Sequence, residues 1–456
     1  MKPLRILITN IALSGRSGTE TVARDLAIGL VRRGHLPVVY SPLLQLPGNT
    51  SGILSEIREA LIPVTDDLNT IAVRPDLIHG SHLHETMTAC LHFPDVPAVW
   101  TCHSWDGPHD KVPPIPNIKK FIAIDESCME RLLCEESLHP EQAQLIPNSV
   151  NLEKFKQREP LPAKPQRALV LSHYAYTDSL WYQNVLEACK QAGLTVDAYG
   201  AGVGKVCTNP ERLFLENDIV FAVDRTALEA TAVGCAVIIL GQPGLGSMVK
   251  SNDCELLYKQ NFGRKSITKE ASVENILHEI DKYDPVDTQK ACGLIRQQAD
   301  ANKYLDKVIE LYNSVLSMPD AVPVLPSDAT KLLKIASNYC ANLSTAVRNH
   351  ILGNAEIEKL QHEIAGAGKM LEKRNRQLEE YRNELEKVEQ SKQNLKIDLK
   401  KSLSESELLL QDKTLQAQQI EALELSLKRM NEELDSIRGS KTMIIKDRIF
   451  KVLRAK

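Results

Sequence analysis

The 456-residue chain has no uninterrupted apolar run approaching the roughly 18 residues of a membrane span, so no crossing helix is expected. It has no excess of positive charge: 55 Lys and Arg stand against 59 Asp and Glu, a formal net charge of -4. That balance gives no electrostatic case for nucleic acid as a main partner, and any basic contact must be local. The ten cysteines include no CxxC pair and no His/Cys grouping at metal-ligand spacing. Buried free thiols in a reducing cytosol are therefore expected, with neither a disulfide framework nor a zinc site. The opening MKPLRILITNIALSG carries a basic residue, but its apolar run is short and leads straight into Gly-rich and helical sequence. It reads as a first buried strand and not as a signal peptide.

What the chain does have is alternation. Apolar runs of four to six residues are separated by amphipathic stretches of helix length, the pattern of βαβ units on parallel sheets. Strands are expected at Leu4–Thr9, Pro37–Ser41, Leu77–Gly80, Ala98–Cys102, Phe121–Ile124 and Gln144–Ile146. Helices are expected between them, for instance over Glu20–Arg33 and Glu126–Glu136. A second set follows the Pro- and charge-rich segment QREPLPAKPQ, at Ala168–Ser172, Thr195–Tyr199, Ile219–Ala222, Ala236–Leu240 and Glu255–Tyr258. The expected fold is thus α/β, with one Rossmann-like domain over 1–156 and another over 167–316. A linker with a short helical segment is expected over 317–353.

Beyond it the repeat changes to seven. Ile357, Ile364, Leu371, Leu378, Leu385, Leu399, Ile420, Leu427 and Leu434 share one heptad seat. Leu360, Tyr381, Val388, Leu395, Leu409, Leu423, Met430 and Ile437 share its companion. A register held over about twelve heptads implies a left-handed coiled coil over 354–438, and with it a homo-oligomer. Lys392, Ser406, Lys413, Arg374, Ser402 and Gln416 interrupt the seats, so the middle should be weakest. The tail 439–456 is basic and carries Met443, Ile444, Ile449, Phe450 and Leu453. It suits either an interfacial helix on an anionic membrane or a face packed on a neighbouring chain.

Candidate chemistry begins after the first strand. In SGRSGTETVARDLAIGLVRRGH, Gly15 and Gly18 lie where the backbone bends into a helix, whose free amides attract anions. His79, His82 and His84 in PDLIHGSHLHE lack carboxylates at ligand spacing, so no metal site is expected. His103 ends a strand on the loop side of a parallel sheet, where open α/β folds bind ligands.

In this order the segments resemble a GT-B glycosyltransferase of the family-4 type over about the first 315 residues. The likeness rests on Ser17, Gly18, Thr19 and Glu20 before RRGH, on Pro75, Asp76 and His79, on Thr101 and His103, on LIPNSVNLEKF, and on LEATAVGCAVI. It implies transfer of a sugar from a nucleotide-diphosphate sugar to a glycan or lipid-linked acceptor, usually with retention and without metal or cofactor. Carried onto this chain, it places Glu229 on the ribose, Gly18 and Thr19 beside the phosphates and His103 near the transferred sugar. The chain also departs from the family. Phe221 stands where the first of two paired glutamates belongs, with Asp224 the nearest replacement. The strand that should precede an Arg and a Lys leads into SHYAYTDSLW, leaving His173, Arg225 or Lys250 to supply charge. Gly200 and Gly202 in YGAGVGK would line the base or merely form a turn. The resemblance implies a cytoplasmic enzyme of surface-glycan synthesis, to which the heptads add an oligomer and the tail, on its membrane reading, a contact with the inner membrane face. Its rival is a non-catalytic GT-B scaffold organising other transferases. An epimerase is a further option, as is a phosphorylase, which needs a cofactor lysine site the sequence does not offer.

Overall fold

The structure, a computed structural model, describes residues 2–44, 52–135, 138–172, 174–205, 207–242, 244–318, 327–402 and 417–436. His173, the tail 439–456 and part of the heptad region lie outside the described residues. The first sheet is built from β1 (Arg5–Thr9), β2 (Leu36–Tyr40), β3 (Val64–Thr65), β4 (Leu77–Ser81), β5 (Ala98–Cys102), β6 (Ile118–Ala123) and β7 (Ala143–Leu145). Its order is β3-β2-β1-β4-β5-β6-β7, parallel throughout. Helices α1 (Gly18–Arg32), α2 (Gly52–Glu59), α3 (Leu83–His92) and α4 (Glu126–Leu133) cover it. Ile6, Leu7 and Ile8 on β1 are at most 1% exposed, because a parallel strand between two helical layers buries both faces. Each such side chain contributes on the order of 2 kcal/mol.

The second sheet comprises β8 (Arg167–Leu171), β9 (Thr195–Tyr199), β10 (Ile219–Ala222), β11 (Ala236–Gly241), β12 (Gly244–Met248) and β13 (Ile267–Lys269). Its order is β13-β12-β11-β10-β8-β9, with β12 antiparallel to both neighbours. It is flanked by α5 (Leu180–Gln191), α6 (Pro210–Glu216), α7 (Asp224–Val233), α8 (Cys254–Lys259), α9 (Val273–Ile280) and α10 (Pro285–Gln298). Glu255–Tyr258, expected as a strand, is part of α8. Cys254 and Leu257 are buried three apart on one helix face, and Lys259 closes an i,i+4 pair with Glu255 at 2.8 Å. Next comes α11 (Ala301–Leu316), within the span expected to complete the second domain. It packs instead on the first core, where Leu305, Val308 and Tyr312 meet Ile6, Leu26 and Leu30.

The last labelled helix, α12, runs over Ser327–Ser402. It starts within the expected linker, since nothing after Pro326 removes a backbone donor from the segment. Ser337 near its start is buried and donates to the Thr88 carbonyl on α3 at 2.8 Å. Residues 417–436 form a further helix. Within this C-terminal region Lys392 Nζ lies 2.6 Å from Glu424 Oε1. A straight helix would separate those positions by about 48 Å. The two helical segments therefore fold back on one another.

Candidate functional site

A cavity of about 480 Å³ opens between loops at the carboxyl edges of both sheets. From the first sheet come Gly18 and Thr19 at the start of α1, His103–Asp106 after β5, Asp125 before α4, and Asn148. From the second come Ser172, Asp224, Arg225, Gln242 and the turn Asn261–Arg264 with Ile267. At the entry of α1, Ser17 caps the helix and the buried Glu20 folds back, its carboxylate accepting from the Gly15 and Ser17 amides at 2.7 Å each. That capping box fixes the turn and takes up the Glu20 amide, while the Gly18 and Thr19 amides are not part of it. A side chain at Gly18 would meet nothing within 4 Å, so the site is open there.

His103 lines the cavity, and its Nε2 lies 3.1 Å from Ser81 Oγ. Its position is set from below by Asp110, whose Oδ2 accepts the His103 amide at 3.0 Å while Oδ1 lies 2.8 Å from His82 Nδ1. Burial holds the His103 pKa down at about 4, against the pull of Asp110, so near neutrality the ring is uncharged. Asp110 is pushed up by burial, but its hydrogen bond to His82 and the neighbouring His82, His103 and His109 together pull it down below the usual carboxylate range. His82 has φ 66° and ψ 153°, a region few side chains tolerate. It is held there by Asp110 and by Asn10 Oδ1 at 3.0 Å. Among the described residues His82, His109 and Asp110 converge within 4.8 Å. Both nitrogens of the His82 ring already engage those two oxygens, so the ring serves the protein's own hydrogen bonds. His79 lies between Thr101 at 3.0 Å and Tyr312 at 2.6 Å, tying α11 to the first sheet away from the cavity.

On the second sheet the turn from β10 into α7 places Asp224 and Arg225 at the cavity and Glu229 behind it. Glu229 lines neither this cavity nor a second one of about 330 Å³ that Arg225 also borders. Instead its Oε1 accepts from Arg225 Nε at 2.8 Å, while the other edge of the guanidinium bonds Asp25 on α1. Asp25 in turn pairs with Arg24 at 2.6 Å. Burial raises the Glu229 pKa and Arg225 opposes that rise. Phe221 is wholly buried in the core beneath α5 and α9, so no acid could stand there without desolvation. Asp224 has φ 54° and donates its amide to the Phe262 carbonyl at 3.0 Å. Desolvation by the cleft walls and the facing Asp125 push its pKa up to about 7. Asp125, which caps α4 through the Cys128 amide at 2.7 Å, is itself raised by burial.

Residues 16–154 match Glycosyltransferase Family 4. The matched segment supplies the cavity wall that carries Gly18, Thr19 and His103. No curated protein matches the chain. Among solved structures, a glycosyltransferase from Rickettsia africae is similar at 14% identity and a TM-score of 0.49, over 70% of this chain and 100% of its own. The lipopolysaccharide outer core galactosyltransferase WaaB, in its apo form, is similar at 13% identity and 0.45, over 68% and 99%. The UDP-GlcNAc 2-epimerase from Neisseria meningitidis bound to UDP-GlcNAc is similar at 11% and 0.45, over 68% and 100%.

The matched segment thus meets Asp224 and Arg225 at one cavity, but neither Glu229 nor the glycine loop joins them. Gly200 and Gly202 belong to a closed turn, in which the Gly200 amide donates to the Lys205 carbonyl at 2.7 Å. A Cβ on Gly202 would stand 2.6 Å from the Ala175 backbone, so that glycine serves packing. Lys250 donates to the Lys282 carbonyl at 2.6 Å and lines neither cavity. The residues that sequence reasoning missed are Trp105, Asp125, Asn261 and Arg264. Of these, only Arg264 left a trace, the preceding Gly263 that follows the polar Lys259–Asn261 and the apolar run Leu256–Tyr258.

Proposed function

We propose that the chain is a glycosyltransferase that moves a sugar from a nucleotide-diphosphate sugar to a glycan or lipid-linked acceptor in surface-polysaccharide synthesis. The observation that carries this reading is the family-4 match, which falls on one wall of a cavity walled on the other side by a second α/β sheet. The start of α1 offers backbone amides and an open approach at Gly18 to the donor's phosphates. His103, neutral and fixed by Asp110, faces the transferred sugar as a hydrogen-bonding group. Asp224 stands where a carboxyl can contact the donor sugar or the reacting hydroxyl. Retention is the expected outcome, with the nucleotide sugar as co-substrate and no resident cofactor. The C-terminal helices serve assembly as a coiled coil of the cytoplasmic enzyme. The tail 439–456 rests on the inner membrane face.

A scaffold without catalysis is the second reading, favoured by one observation: Glu229 is bonded to Arg225 and Phe221 fills the core. Thermal shift against a panel of nucleotide-diphosphate sugars separates the two. A donor that raises Tm, and whose sugar is released or transferred in a manner lost in His103→Ala, is the expected result. No shift with any donor would favour the scaffold.

A further inference from the structure

The diphosphate of a nucleotide sugar carries at least two negative charges, and a cavity that binds it needs a cation free to meet them. Two arginines line this cavity, and their situations differ. Arg225 is spent, bonded through one edge to Glu229 and through another to Asp25. Arg264 is exposed and has no carboxylate partner among the described residues. Its guanidinium carbon lies 3.5 Å from the ring centroid of Trp105, which reaches over from the loop after β5. At that distance the guanidinium must lie nearly flat on the indole. The stack therefore uses only its face and leaves the in-plane N–H donors available.

The turn that presents Arg264 is constrained at several points. Asn261 and Phe262 have φ 54° and 53°, an uncommon conformation for non-glycine residues and more so for a bulky one. Asn148 of the opposite wall donates to Asn261 Oδ1 at 3.0 Å, and Lys265 pairs with Glu130 at 2.5 Å. A side chain on Gly263 would stand 2.5 Å from Asp224 Oδ1, so glycine lets the turn close against Asp224 without moving that carboxylate. Backbone strain held by such a set of contacts marks a turn kept for what it presents.

We propose that Arg264 is the cation that binds the donor's diphosphate, held ready on the face of Trp105. The assignment rests on the glycosyltransferase reading and supplies the positive charge missing from the loop after β8. The test is binding by calorimetry to the full chain, with UDP, GDP, ADP and CDP, their nucleosides and inorganic pyrophosphate as probes. Arg264→Gln should weaken the preferred nucleoside diphosphate and pyrophosphate by about 10- to 100-fold, as loss of a charge-assisted contact does, while leaving the nucleoside unchanged. Arg264→Lys should recover part of that loss, and an unchanged Tm in both variants shows that the fold is intact. Equal binding of the diphosphate by wild type and Arg264→Gln would overturn the assignment alone. So would an equal loss for nucleoside and diphosphate. Failure of the wild type to bind any probe would overturn both the assignment and the reading beneath it.

Discussion

Arg225 joins Asp25 and Glu229, carboxylates far apart in the chain, with its own side chain and that of Glu229 about one-tenth exposed. Removing one member of a buried charge pair leaves the other desolvated without compensation, at a cost of about 3 kcal/mol. Arg225→Gln should therefore lower the urea unfolding free energy by about that amount, and adding Glu229→Gln should recover a part of it. Strictly additive effects in that cycle would show that the two side chains are not coupled. Asp224 bears on pH. Its pKa is raised to about 7, above the unfolded value near 3.8, so the folded state binds the extra proton between those limits. Stability from this group is full below pH 4 and is lost as pH rises through 7. Water reaches Asp224 in the cleft and screens it, so Asp224→Asn should gain only about 1 kcal/mol over wild type at pH 8. At pH 4 it should gain nothing. A difference independent of pH would mean that the carboxyl titrates normally.

At the level of elements, two glycines that look alike in the sequence do different work. Gly202→Ala would drive a methyl group into the Ala175 backbone at 2.6 Å and should cost about 1–3 kcal/mol. Gly18→Ala meets open space and lies in the first turn of a helix, so Tm should hold or rise slightly while affinity for a nucleoside diphosphate falls. Reversed outcomes would exchange the roles of the two turns. The same contrast explains what was legible beforehand. Ala98–Cys102 was readable because five successive residues are buried on both faces of the sheet. GLGSM at β12 was not, because three small residues in five carry no apolar signal, and Gly246 is there to let the Ser266 carbonyl approach. CELLYK gave a strand-like apolar run, and only its buried neighbours show it to be a helix. His103 could be picked out because it directly follows a strand, and Asp224 and Arg225 because the resemblance calls for an acid and a cation that the usual positions lack. The spent state of Arg225 and the stacked, unpaired state of Arg264 could not, since both depend on residues of the other α/β unit, Asp25 and Trp105.

At the level of the whole molecule, the heptad region raises a question that its sequence leaves open, namely which chain provides the partner helix. Lys392 interrupts an apolar seat, a position where a charge is costly unless something meets it. Glu424 meets it at 2.6 Å, a contact that one straight helix through both positions could not make. A helix that finds its partner by folding back can cover its seam without a second copy. A helix that exchanges the same contact with a neighbour makes an oligomer by swapping an identical element. Zero-length carbodiimide coupling of Lys392 to Glu424 in an equimolar mixture of unlabelled and 15N-labelled protein distinguishes them. The expected peptide pair is either wholly light or wholly heavy, with Lys392→Gln abolishing it. Light–heavy pairs at the statistical half of the total would place the contact between copies, and the coiled coil would then hold the oligomer together through this very ion pair.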